Sequence, residues 1–213
     1  MNRITAFISY SAKQKVIGGN FRKCLNSYCG YETFIAHDDI PGSALWEEEI
    51  IRAIEKADFF IPLLSDDFKR SDFTDQETGI PITLKKKIIP IKLEQVNPYG
   101  FISKYQALQY KKYKNRDNVK ELALMIAEIG LANPLNSQLH QKAMNSITYA
   151  FCNSKTFGTI NAIIETMSTC DHFTTVHIEQ IIRAVKNNEK IRIAINMEKL
   201  KKVLSDKYNV MLD

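Results

Sequence analysis

FFIPLL, residues 59–64, is an unbroken apolar run set between Asp58 and Ser65. A run this short, with no polar alternation, fits a strand covered by helices on both faces, as in a parallel sheet. Three further runs have the same texture: residues 4–10 (ITAFISY), 33–36 and 88–93 (IIPIKL). Between them lie segments of helical length: residues 16–28, 44–57, one starting near Ser71, and 117–130. The second is ALWEEEIIRAIEKA. Leu45, Ile50, Ile51 and Ile54 fall mainly on one of its faces, while Glu47, Glu48, Arg52, Glu55 and Lys56 face water. Ser43 or Gly42 suits its N-cap, and Trp46 suits packing near that end. This alternation predicts an α/β fold with a central parallel sheet flanked by helices.

After Gly130, Asn133-Pro134 breaks the helix and no strand pattern follows. Helices are predicted over residues 137–152, 156–170, 174–187 and 197–206, with Ser154 and Thr174 near their N-caps. The domain expectation is therefore 1–132 for the α/β domain and 133–213 for a small all-helical C-terminal domain. A length of 213 residues suits one full domain with an appendage.

Composition narrows the function. Hydrophobic residues make up 45% and charged residues 25%, which supports a packed core. Basic and acidic residues number 19 and 17 in residues 1–133, and 10 and 7 beyond, so neither part has a nucleic-acid binder's strong positive bias. Lys85-Lys86-Lys87 and Lys111-Lys112-Tyr113-Lys114 read as solvated faces. No run approaches the roughly 18 to 20 apolar residues of a membrane helix, and the N-terminus lacks a signal peptide's apolar region; a cytoplasmic protein is expected. Cys24, Cys29, Cys152 and Cys170 form no CxxC pair and have no histidine at zinc spacing, which predicts thiols in a reducing compartment and no metal.

Open parallel sheets bind ligands beyond the carboxyl ends of their strands. The first strand delivers Ser9, Tyr10, Ser11 and Lys13 there, residues suited to a phosphate or adenine site. The second delivers His37, Asp38, Asp39 and Ile40 ahead of Pro41-Gly42; paired acids before Pro-Gly commonly cap a turn. The third leads through Ser65 to Ser71, Phe73 and Glu77. The loop after the first strand lacks the acids of a phospho-accepting receiver, and neither GxxxxGK[ST] nor GxGxxG occurs. His140, His172 and His177 have no nucleophile pattern around them.

AFISYS (residues 6–11), the segment 35–65 containing DDIPG, SDFTDQE (71–77) and KIIPIKL (87–93) together resemble the Toll/interleukin-1 receptor (TIR) domain in order and spacing over about residues 3–130. The resemblance implies a flavodoxin-like fold. AFISYS is similar to the family's first box, DDIPG to its BB loop, and Ser65, Ser71, Phe73 and Glu77 to the segment holding the catalytic glutamate of enzymatic members. Many of those have Trp where this chain has Phe73. FIAHDDI and NPYGFISKYQAL further resemble bacterial single-TIR proteins, several of them in antiviral defence of the Thoeris type.

The resemblance implies an NAD nucleosidase, a glycohydrolase or cyclase with NAD+ as substrate and no cofactor. Glu77 would be catalytic, Phe73 would support the nicotinamide, and Ser9, Tyr10, Ser11, Lys13, Asp38, Asp39 and Ile40 would line or gate the site. It also implies self-association and a nucleotide product acting on a downstream effector, with no nucleic acid or membrane partner. Two rival readings are a non-catalytic TIR scaffold and a nucleoside deoxyribosyltransferase-like enzyme.

Overall fold

The computed structural model describes residues 1–35, 46–114, 116–135 and 137–212, leaving aside the side chains of Trp46, Asp72, Phe73 and Asp75. The chain forms two compact units. One, an α/β unit, comprises residues 4–24 and 31–122; the other, a helical unit, comprises 1–3, 25–30 and 123–213.

In the α/β unit, β1 (Thr5–Ser9) pairs in parallel with β2 (Glu32–Phe34) on one side and β3 (Phe59–Leu64) on the other. All six residues of β3 are buried, as its uniform apolarity requires. Beyond β3 lie β4 (Lys87–Ile88) and β5 (Ile91–Lys92), then β6 (Leu108–Gln109), all parallel. Phe59 stands opposite Lys87 and Leu63 opposite Ile91 in one register. The run at 88–93 is thus a single strand line interrupted at Pro90, which has no N–H to give the ladder. Phe7 stacks on Phe34 and Phe60 at centroid distances of 5.4 and 5.7 Å, and Ile50, Ile54, Leu64 and Phe68 complete this core.

The helices of this unit are α1 (Lys15–Cys24), α2 (Trp46–Lys56), the short α3 (Asp66–Lys69) and α4 (Asp72–Thr83). Helix α5 (Val119–Leu131) follows an antiparallel hairpin of β7 (Lys112–Tyr113) and β8 (Arg116–Asp117). Neither β6 nor the hairpin has a length that periodicity can reveal. The second expected strand extends to Ala36, which, like the expected caps Gly42 and Ser43, lies outside the described residues.

The helix expected over residues 16–28 ends as α-helix at Cys24 and widens into a π-helical turn, Leu25–Cys29, followed by Gly30 at φ +69°. This turn belongs to the helical unit. There α6 (Gln138–Cys152), α7 (Phe157–Ser168), α8 (Thr175–Asn187), α9 (Glu189–Arg192) and α10 (Met197–Tyr208) enclose Phe151, Ile163, Met167, Ile181 and Leu200. Thr174 caps α8 as expected, in a reciprocal box with His177. Helix α7 is capped by Thr156. Ser154, expected near that cap, instead ends the preceding helix, its hydroxyl donating to the Ala150 carbonyl at 2.7 Å.

All four cysteines are free thiols. Burial pushes Cys24 and Cys152 up to about 11 and Cys170 up to about 12, so these three stay protonated and unreactive at neutral pH. No helix among the described residues is long and apolar enough to cross a membrane.

Candidate functional site

The serines spaced through the third loop are helix caps. Ser65 Oγ accepts from the Phe68 amide at 3.0 Å at the start of α3, and Ser71 Oγ accepts from the Thr74 amide at 3.4 Å at the start of α4. Thr74 adds a tie across the join, its hydroxyl donating to the Phe68 carbonyl at 2.5 Å. Two caps and this bond fix where α4 begins, and therefore which of its residues turn inward.

Glu77 is one of them, with only 4% of its surface exposed. A carboxylate that merely complemented the helix dipole would be solvated, so this burial sets it apart from a surface acid. Its partner is Ser9, the last residue of β1, whose hydroxyl donates to Glu77 Oε2. Burial raises the carboxyl from its ordinary value of 4.5 to about 7, and the Ser9 hydrogen bond opposes that rise. Oε1 takes no hydrogen bond from any described residue. One turn on, Pro81 sits inside α4 without an N–H, so the Glu77 carbonyl lacks its usual helical partner.

Glu77 also lines a cavity of about 710 Å³ between α2 and α4. Its walls include Ile50, Ile51, Ile80 and Leu84, with Phe101 at the mouth, 78% exposed. A concave, mainly apolar space with one perturbed carboxyl is the usual form of a small-molecule site. Ile50 and Ile51 read from sequence as the buried stripe of a helix; nothing in their spacing marks a cavity.

The remaining residues of the first loop take separate positions. Tyr10 is buried with its ring against α1, so close that a Cβ on Gly18 would lie 2.4 Å from Tyr10 Cε1. Ser11 is half-buried at the start of a 3-10 turn, Ala12–Gln14, and its carbonyl accepts from the Gln14 amide at 2.7 Å. Lys13 is exposed and pairs with Asp67 at 2.7 Å. Asp38, Asp39 and Ile40, with His37, lie outside the described residues, as does the side chain of Phe73. Among the described residues of the expected site, Ser9 and Glu77 are in direct contact.

Ser9→Ala removes the one group that lowers the Glu77 titration. Its midpoint is expected to move above about 7, and carbon-13 NMR of the glutamate carboxyl reads the change. An unmoved midpoint would mean that Ser9 does not hold this carboxylate.

A family model for the TIR domain matches residues 6–124. Among solved structures, the TIR domain of a Toll-related receptor from Hydra magnipapillata is similar at 24% identity with a TM-score of 0.44, over 49% of this chain and 82% of that one. A CMP N-glycosidase from Clostridium botulinum is similar at 20% identity with a TM-score of 0.39, over 56% of this chain and 98% of that one. No curated protein matches.

Proposed function

Because the chain belongs to the TIR-domain family, whose model spans more than half of its 213 residues, we propose that it cleaves the nicotinamide–ribose bond of NAD+ with Glu77 as the catalytic carboxylate. The observation that carries this reading is the buried Glu77 held by Ser9 at the carboxyl end of β1.

The chemistry requires one carboxylate. Nicotinamide in NAD+ is already cationic, so it departs with the bonding electron pair as a neutral molecule and needs no general acid, in contrast to the paired carboxylates of ordinary glycoside hydrolysis. Positive charge then develops on the ribose. Ionised Glu77 stabilises that charge across a low-dielectric cavity, and Oε1 is free of described partners to meet the ribose hydroxyls while Ser9 fixes Oε2. Water captures the cation to give ADP-ribose and a proton, or a nucleophile within the same molecule captures it to give a cyclic product. Phe73, one turn before Glu77, supports the nicotinamide.

The proposal extends to a cytosolic enzyme of bacterial antiviral defence that needs no metal or bound cofactor, self-associates through its TIR domain, and signals through its nucleotide product. The first loop, Ser9 to Lys13, and the DDIPG segment with Asp38, Asp39 and Ile40 serve substrate binding and gating.

Incubating the purified protein with NAD+ at high protein concentration, with chromatography for nicotinamide and mass spectrometry for the product, tests it. Nicotinamide with ADP-ribose or its cyclic form is expected. Cleavage of nucleosides without cleavage of NAD+ would replace this reading with the deoxyribosyltransferase-like one. Turnover of neither, at any concentration, would leave a scaffold.

A further inference from the structure

A second cavity of the α/β unit, about 770 Å³, opens at the carboxyl ends of β1, β5 and β6 and shares no lining residue with the Glu77 cavity. Four cationic side chains border it: Lys13, Lys112, Lys114 and Arg116. Lys13 is held by Asp67. The other three are exposed, and none forms an ion pair among the described residues. Two acids also border the cleft, and both are engaged by backbone amides: Glu94 accepts from Asp66 at 2.8 Å and Asp117 from Val119 at 3.2 Å. Carboxylates bonded to neutral amides keep their charge, so with Lys13 offset by Asp67, three exposed cations against two acids leave a net charge of one positive at the concave space.

The support beneath these cations is built. Asn118 donates to the Gln109 carbonyl at 3.0 Å and accepts from the Lys111 amide at 2.7 Å, which closes the base of the β7–β8 hairpin. Within the hairpin Tyr113 stands opposite Arg116, so the aromatic ring and the guanidinium share a face, while Lys112 stands opposite Asp117 on the other. Tyr110 gives the cleft a second ring. Cations that meet phosphate oxygens, beside rings that stack on a base, are the two recognition elements of a nucleotide.

We propose that this cleft is a nucleotide-binding site, in which Lys112, Lys114 and Arg116 meet the phosphates and Tyr110 and Tyr113 flank the base. Its volume lies within the roughly 300–1,000 Å³ of small-molecule pockets. A nucleic acid is disfavoured, because an extended backbone needs a basic stripe, and the charges of residues 1–133 nearly balance, 19 basic against 17 acidic. Lys13 is the one lining residue that the proposed reaction also assigns to substrate binding; the phosphate contacts proposed here, Lys112, Lys114 and Arg116, are separate from Glu77 and hold whether or not NAD+ is cleaved.

Calorimetric titration with ADP and with adenosine tests it, on Glu77→Gln protein so that neither probe meets a working catalytic group. ADP is expected to bind, adenosine to bind at least tenfold more weakly, and Lys112→Gln/Lys114→Gln/Arg116→Gln to weaken ADP at least tenfold. Circular dichroism checks that this variant folds; Arg116→Gln alone, and weakening of ADP by added salt in the parent protein, test the same point without the triple change. Absence of ADP binding, ADP affinity indifferent to these substitutions, or a single-stranded RNA that outcompetes ADP would overturn the proposal.

Discussion

Glu77→Gln is expected to lower nicotinamide release from NAD+ by roughly 100- to 1,000-fold, the usual cost of removing one preorganised electrostatic stabiliser from a transition state. The same substitution is expected to stabilise the fold at alkaline pH. Glu77 titrates at about 7 in the folded chain against an ordinary 4.5, so the folded state favours its neutral form. Below pH 4.5 the residue is neutral in both states and costs nothing. As pH rises from 4.5 through 7, the unfolded chain ionises first, and the parent protein loses up to about 3 kcal/mol that glutamine does not lose. Melting curves of the two proteins should thus diverge between pH 5 and 8, with the glutamine variant higher. Activity runs the other way: the carboxylate must be ionised, so turnover of the parent rises with pH through about 7. A Glu77→Gln protein with undiminished release would remove Glu77 from the chemistry, and melting curves that stay parallel would remove the buried acid from the stability argument.

The largest structural effect is expected at Gly30, where Gly30→Ala should destabilise the helical unit by roughly 3 kcal/mol or more. Gly30 has φ +69°, a left-handed conformation that costs a side-chain-bearing residue about 1–2 kcal/mol. A Cβ there would also stand 2.0 Å from the Ser146 carbonyl oxygen and 3.1 Å from the Ala150 amide nitrogen, all backbone of α6. Backbone atoms inside a helix cannot step aside as the end of a flexible side chain can, so an overpacking cost of about 1–3 kcal/mol is added. Arg3 fixes the site further, donating to the Gly30 carbonyl at 3.1 Å while its guanidinium lies 3.8 Å over the Tyr149 ring. Thermal unfolding followed by circular dichroism should show a fall of roughly 10 °C. An unchanged transition would mean that the turn does not approach α6 this closely.

The sheet was legible in the sequence wherever a strand was long enough to show its texture. FFIPLL announces a strand buried on both faces, and ITAFISY and IIPIKL follow it. The two-residue β6 and the β7–β8 hairpin escape because a pair of residues has no period. In the C-terminal region the longer helices were legible from their apolar spacing, though the four-residue α9 was not, and the cap at Thr174 from its residue type; Thr156 and Ser154 are both good caps by type, and only the helix start decides between them. Glu77 was singled out by the resemblance of Ser65, Ser71, Phe73 and Glu77 to the TIR family's segment, and the structure gives those serines a physical role, because they cap the two helices that aim it. What spacing could not give is the Ser9 hydroxyl, 68 residues away and brought near only by the sheet. The hairpin cations of the second cleft read as a solvated face for a related reason: a short run of lysines looks the same on a convex face as on a concave one.

The helical unit draws on residues 1–3, 25–30 and 123–213. A ribosome makes chain from the N-terminus, so residues 4–24 and 31–122 are all available to the α/β unit before the first turn of α6 exists. The turn at Leu25–Cys29 and Gly30 must wait through that synthesis for the helix whose backbone it meets at Ser146. The α/β unit can therefore complete itself during translation, whereas the helical unit closes only after its last helices are released.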